Sequence, residues 1–264
     1  MTTLQTVFAK AKADDRAALI GYLPAGFPSK EGAIAVATAM VEAGCDVIEI
    51  GLPYSDPLMD GPTIQDAVHR ALTNGTRIAD VLRTVEGVAA TGAATLVMTY
   101  WNPIDRYGVD RFARDLASAG GVGTITPDLT PEEAGPWREA SASAGIDTVF
   151  LVAPSSTEAR IRAVADSCTG FVYAASLMGV TGARESVGEA AQGLVERTRP
   201  HTSLPVCVGL GVGTGRQAAE VAGYADGVIV GSAFIRRVLD APDENSGLAA
   251  VRELGAELAA GVRG

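Results

Sequence analysis

The run Val47-Ile48-Glu49-Ile50-Gly51-Leu52-Pro53-Tyr54-Ser55-Asp56-Pro57-Leu58-Met59-Asp60-Gly61-Pro62-Thr63 decides how the chain is read. It begins as an apolar β run and ends as a loop of proline, glycine and acid. Glu49 stands inside the β run, where burying an unpaired carboxylate costs several kcal/mol. Asp60 follows eleven residues later, in a stiff loop. Two carboxylates on one strand-and-loop unit form a candidate acid–base pair.

Working outward, the approach to this strand is a phrase that recurs. Ala43-Gly44-Cys45-Asp46-Val47-Ile48-Glu49-Ile50 is echoed by Ala144-Gly145-Ile146-Asp147-Thr148-Val149-Phe150-Leu151. Ala222-Gly223-Tyr224-Ala225-Asp226-Gly227-Val228-Ile229-Val230 repeats it with one extra residue, and Ala119-Gly120-Gly121-Val122-Gly123-Thr124-Ile125 more weakly. Each copy predicts a helix closing on glycine, a tight turn and a buried strand. The spacing places eight strands near 18–22, 47–51, 95–100, 122–126, 148–152, 171–175, 205–209 and 227–231. Helical segments follow at 30–43, 63–73 with 77–90, 108–118, 131–143, 157–166, 187–197, 214–222 and 233–239. Such βα repetition at this length predicts an α/β fold, a single-domain (β/α)8 TIM barrel over residues 1–264. An extra N-terminal helix is expected at 3–13, and a packing helix at 246–262. The doubly wound alternative fits less well, because Gly209-Leu210-Gly211-Val212-Gly213-Thr214 has threonine where the third glycine of a dinucleotide fingerprint falls.

Composition narrows the functions. Of the 264 residues, 47% are hydrophobic, as suits a core-rich globular chain. The net charge is −10, and no Lys/Arg cluster offers a face to DNA or RNA. Cys45, Cys168 and Cys207 are scattered, and His69 and His201 lie far apart, so buried thiols are expected and metal ligation is not. No signal-peptide core and no membrane-length apolar run is present, so a cytoplasmic enzyme is expected.

Strand residues alternate between barrel interior and helix layer. If Ile48 and Ile50 face the helices, Glu49 faces inward near the strand's C-terminal end, where active sites of this fold lie. Burial there predicts a raised pKa, suited to a group that gives and takes a proton. The alternative is a structural Glu paired with arginine, and no arginine lies near it in sequence. Asp56 precedes Pro57 and Asp60 precedes Gly61-Pro62, so both also read as turn formers, but Asp60 gains a functional reading from lying in the loop directly after the Glu49 strand. Late in the chain, Gly209-Leu210-Gly211 and Gly231-Ser232 end the last two predicted strands. Gly211, Gly231 and Ser232 are thereby candidate phosphate binders, with the following helix adding its positive dipole end. The small-residue run after Tyr173 reads as a lid hinged at Gly179 and Gly182, with the Gly182 N–H within reach of phosphate, or simply as a flexible loop. Tyr22, Met98, Tyr100, Ile125 and Leu151 fall near strand ends, either as an apolar pocket for an aromatic ring or as barrel core. Ser155-Ser156 reads as a helix cap.

With these residues assembled, Glu49-Ile-Gly-Leu-Pro-Tyr-Ser-Asp-Pro-Leu-Met-Asp60-Gly-Pro-Thr-Ile-Gln65 closely resembles the signature of the tryptophan synthase α subunit family. Gly179-Val-Thr-Gly182 resembles its lid, and the two late glycine runs resemble its phosphate loops. The resemblance implies retro-aldol cleavage of indole-3-glycerol phosphate into indole and glyceraldehyde 3-phosphate. It implies Glu49 as proton donor to indole C3 and Asp60 as acceptor at the indole N–H. It also implies Tyr173 and Thr181 in the substrate and lid shell, and Gly182, Gly211 and Ser232 as phosphate donors. No cofactor is implied in this chain. A β-subunit partner carrying pyridoxal phosphate is implied, in an α2β2 assembly, with Pro53, Asp56, Pro57 and Asn102 partner-facing. Tyr22 and Leu210 depart from the phenylalanine that many members have. Two rivals stay open on the residues alone. A Schiff-base aldolase needs a strand lysine, and Lys10, Lys12 and Lys30 lie outside every predicted strand. A silent ligand-binding subunit would be marked by loss of Glu49 or Asp60, and both are present.

Overall fold

The computed structural model describes residues 2–176, 184–209 and 211–264. The elements alternate as the repeated phrase requires. They run α1 (Leu4–Ala13), β1 (Ala18–Pro24), α2 (Lys30–Glu42), β2 (Val47–Gly51), α3 (Pro62–Thr73), α4 (Ile78–Ala89), β3 (Ala94–Met98), α5 (Trp101–Tyr107), α6 (Val109–Ser118), β4 (Gly123–Ile125) and α7 (Gly135–Ala144). There follow β5 (Asp147–Val149), β6 (Leu151–Val152), α8 (Glu158–Ser167), β7 (Val172–Ala175), α9 (Arg184–Thr198), β8 (Val206–Gly209), α10 (Gly215–Ala222), β9 (Gly227–Val230), α11 (Ser232–Leu239) and α12 (Glu244–Gly261).

All pairings are parallel, in the order β5-β4-β3-β2-β1-β9-β8-β7-β6. The two ends of that order, β5 and β6, are consecutive pieces of one strand, so the sheet curls into an eight-stave barrel. The break is at Phe150, whose N–H goes to Cys168 Sγ at 3.3 Å. On one side β5 pairs with β4, and on the other β6 pairs with β7.

Strand alternation sorts the core into two layers. Leu19, Leu23, Ile48, Ile50, Val97, Val172, Val208 and Val230 pack outward with the helices. Ala18, Ile20, Val47, Leu96, Ile125, Val149, Phe171, Cys207 and Ile229 fill the interior. The same interior cluster takes in Leu4, Val7, Phe8 and Ala11 of α1, with Phe8 edge-on to Phe171 at 5.8 Å. The extra helix is therefore a plug for the N-terminal end of the barrel, leaving the C-terminal end for a ligand. At the far end of the chain α12 packs on α2, α10 and α11. Arg252 in it bonds Glu42 of α2 at 2.8 Å, clasping the last repeats to the first.

The glycine turns behave as predicted at Gly44, Gly120 and Gly145, all with positive φ. Gly223 differs, closing α10 in an ordinary right-handed conformation. Two local expectations are corrected. The third strand stops at Met98 instead of running to residue 100, and the chain turns into α5, with Tyr100 at its N-cap. The first turn of α5 is held from outside, by Asp128 accepting the Trp101 N–H at 2.9 Å. The cap of α8 is Thr157, which accepts from Arg160 N, and Ser156 instead takes the Ala153 N–H at 3.0 Å. His201, in a short helical turn at Arg199–His201, meets Glu158 Oε2 at 2.9 Å.

Candidate active site

Glu49 is fully buried, and neither carboxylate oxygen has a hydrogen-bond partner among the described residues. Its register partners are Tyr22 on β1 and Leu96 on β3. With Ile48 and Ile50 facing outward, its side chain enters the barrel among Tyr22, Tyr173 and Cys207, each of which feels its charge. The structural-Glu alternative finds no support, since no arginine bonds it among the described residues. Burial alone pushes its pKa up to about 8. A carboxyl in that state is mostly protonated at neutral pH and ready to donate.

Asp60 sits half-buried between β2 and α3. Burial raises its pKa and a hydrogen bond from Tyr100 opposes the rise. The loop is tied on several sides. Gln65 Nε2 bonds the Asp60 carbonyl at 2.7 Å, and Leu58 and Met59 N–H groups both bond Tyr100 Oη at 3.0 Å. The two carboxyls thus differ by environment, one unpartnered and dry, the other hydrogen-bonded at the mouth. That separation is how one site carries an acid and an acceptor.

Around them, Met98, Leu151 and Tyr173 pack on the interior cluster that contains Ile125. Tyr22 is buried, its ring standing between two strand ends. A Cβ on Gly231 would lie 3.0 Å from its Cδ1, and one on Gly51 would lie 2.8 Å from its Cζ. Tyr173 covers Gly209 in the same way, Cζ 2.8 Å from a Cβ there. Glycines at these strand ends make room for tyrosines, a purpose sequence spacing does not reveal. Gly211 is exposed with φ +69°, and Gly231 precedes Ser232 at the N-terminus of α11. The leading N–H groups of that helix have no partner within it. Thr181, Gly182 and Leu210 lie outside the described residues.

Of the surface residues, Asp56 and Asn102 are exposed and Pro57 partly so. Pro53 is a correction: it is buried, because Leu52 N–H bonds the Met98 carbonyl at 2.8 Å and holds the chain against the barrel. Sequence reasoning missed Gln65, Tyr54 and Asp128, which hold the loop and the start of α5. Asn102 Nδ2 donates to Tyr54 Oη at 3.0 Å. It also passed over Leu58 and Met59, exposed apolar side chains on the same loop. A hollow of about 600 Å³ near Thr2, Glu86, Ala90 and Gly120 lies at the opposite end of the strands, walled by small residues. Among the described residues no cluster of three or more metal-binding side chains occurs. No described helix is long and apolar enough to cross a membrane.

A (β/α)8 barrel with two unlike carboxyls at its C-terminal mouth defines a class, the barrel enzymes that work by acid–base chemistry. Comparison with known proteins makes the class particular. The family described as tryptophan synthase alpha chain matches residues 8–263. The tryptophan synthase alpha chain of Thermobifida fusca is 62% identical, over 100% of this chain and 98% of that protein. A solved structure of Mycobacterium tuberculosis tryptophan synthase is 54% identical, with TM-score 0.92 over 100% of this chain and 99% of its own. The tryptophan synthase subunit alpha of Legionella pneumophila is more distant, at 31% identity and TM-score 0.90, covering 99% and 98%. The chain belongs to the tryptophan synthase alpha chain family.

Proposed function

We propose that this chain is a lyase that splits indole-3-glycerol phosphate into indole and glyceraldehyde 3-phosphate, and passes indole to a tryptophan synthase β subunit. Family membership over the whole chain supports the activity. The observation that carries the mechanism is Glu49, buried, unpartnered and protonated up to about pH 8. Indole leaves poorly as a carbanion. Glu49 gives its proton to C3 of the ring while Asp60 takes the hydrogen of the ring nitrogen, which yields a neutral indolenine. The Glu49 carboxylate, now costly in its dry site, takes the proton of the neighbouring glycerol hydroxyl. The C–C bond breaks, the aldehyde forms, and the electron pair returns to the ring as the nitrogen recovers its hydrogen from Asp60.

Tyr22, Met98, Tyr100, Ile125, Leu151 and Tyr173 wall the ring pocket, and Gly211, Gly231 and Ser232 hold the phosphate. Thr181 and Gly182 complete the lid and phosphate shell. Asp56, Pro57, Asn102, Leu58 and Met59 face the β subunit, and the whole of 1–264 works as one domain in an α2β2 assembly. The pyridoxal phosphate chemistry belongs to the partner, and the three buried free thiols suit the cytoplasm. The test is direct. The purified chain, alone and with a β subunit, is mixed with indole-3-glycerol phosphate and indole is measured. Indole release supports the lyase, and none under either condition favours a silent subunit.

A further inference from the structure

Tyr100 makes contacts that a mere pocket wall does not need. Its hydroxyl accepts the N–H groups of Leu58 and Met59, each at 3.0 Å. A phenol has two acceptor positions and one hydrogen. Both acceptor positions are filled, so the hydrogen is left to donate. The acceptor it meets is Asp60 Oδ1, at 3.5 Å, a long bond but its only one among the described residues. The tyrosine is itself held. Trp101 N–H donates to both Asp128 oxygens, at 2.9 and 3.1 Å, and the Tyr54 ring leans on the Tyr100 ring at 5.5 Å.

We propose that Tyr100 is a positioning residue for Asp60. Its hydroxyl pins the loop backbone at 58–59 and occupies one Asp60 oxygen, leaving the other for the ring N–H of the substrate. This rests on the lyase function proposed above. Because Leu58 and Met59 are also the exposed apolar side chains of the loop, the same hydroxyl links the outer surface to the site. Among the described residues few other groups face Asp60. Tyr22 comes from β1, itself under the charge of Glu49. Asp56 is on the same loop, Asp128 lies behind Tyr100, and Arg236 of α11 bonds Thr63 at 3.2 Å rather than Asp60.

The test compares indole release against pH for the unsubstituted chain, Tyr100→Phe, Asp60→Asn and the double variant. Tyr100→Phe keeps the ring against Tyr54. It is expected to lower kcat about ten- to a hundredfold, the scale of a misplaced group, with little change in KM. Asp60 loses a donor to its charged form, so the acidic limb of the profile moves to higher pH. In the Asp60→Asn background the same substitution adds less than about twofold. Fluorotyrosine at position 100, a stronger donor of the same shape, moves the limb the other way. An unmoved limb, or an equal loss in both backgrounds, overturns the proposal. Absence of indole from the unsubstituted chain, alone and with a β subunit, overturns the lyase function instead. The titration of the Asp60 carboxyl by carbon NMR then still decides the Tyr100 contact, an unchanged midpoint in Tyr100→Phe refuting it.

Discussion

Tyr22 and Glu49 are register partners across β1 and β2, and both side chains enter the C-terminal half of the barrel. The pairing places an aromatic face beside a dry carboxyl. Burial pushes the Tyr22 hydroxyl well above its usual range, with the charges of Asp60 and then Glu49 adding to it. The tyrosine therefore stays a neutral phenol, and the proton that moves is the one on Glu49.

That proton sets the first expectation. Glu49 is raised to about 8, so its acid form declines as pH rises through that value. Indole release is expected to fall along the same limb. Glu49→Gln removes the donor and should lower kcat by about a hundredfold or more, the range of general acid catalysis. Substrate affinity should change by less than about tenfold, since the ring and phosphate contacts remain. Steady-state kinetics with a competition binding assay checks both, and near-normal turnover would remove Glu49 from the acid's role.

The same carboxyl weakens the fold. Between the ordinary value of 4.5 and about 8, the native chain keeps a proton that the unfolded chain has lost. Stability therefore declines as pH rises across that window, by up to about 1.4 kcal/mol per pH unit from this one group. Glu49→Gln abolishes the dependence. Its thermal midpoint, measured against the unsubstituted chain, should gain steadily from pH 5 to pH 8. A gap that stays constant with pH would mean that Glu49 is solvated or paired in solution.

Gly51 tests the packing of Tyr22. A methyl group at Gly51 would sit 2.8 Å from Cζ and 2.9 Å from Cε2 of the ring, inside any real carbon contact. The ring is wedged on its other side by Gly231, so it has little room to retreat. Gly51→Ala is expected to cost about 1–3 kcal/mol by overpacking and to lower turnover by displacing the ring. Adding Tyr22→Leu should recover part of the stability. Chemical denaturation of the single and double variants measures this, and a neutral Gly51→Ala would show that the ring moves freely.

Much of this was legible in the chain. The helix–glycine–strand phrase gave the barrel because it encodes local events, a C-cap and a buried run. Glu49 was legible because alternation fixes which way a strand residue points. The parts that were not legible depend on distant partners. Helix α5 was passed over because Asn102-Pro103 follows a strand, and the group that holds its start, Asp128, lies 27 residues away. Gly209 was visible only as part of a glycine run, whereas a Cβ there would collide with Tyr173, a contact no spacing rule contains. The split of the fifth strand at Phe150 likewise depends on Cys168 taking its N–H. Pro53, which the family resemblance implied to be partner-facing, is buried, drawn inward by the bond of its neighbour Leu52.

The last expectation concerns the loop's outer face. Leu58 is 76% exposed and Met59 39%, although their backbone N–H groups are fixed on Tyr100. Apolar side chains on a fixed backbone leave less chain entropy to lose on docking, which suits them as anchors for the β subunit. Leu58→Asp places a charge in that contact and leaves the Leu58 N–H to Tyr100 intact. It should weaken association with a β subunit by about tenfold or more, on the scale of an interface anchor. Indole release by the isolated chain should change little, because Asp60 and its supports are untouched. Calorimetric titration of the variant with the β subunit reads the first effect and the indole assay the second. Unaltered affinity would place the docking surface elsewhere, and loss of activity in the isolated variant would mean that the Leu58 side chain supports Asp60 directly.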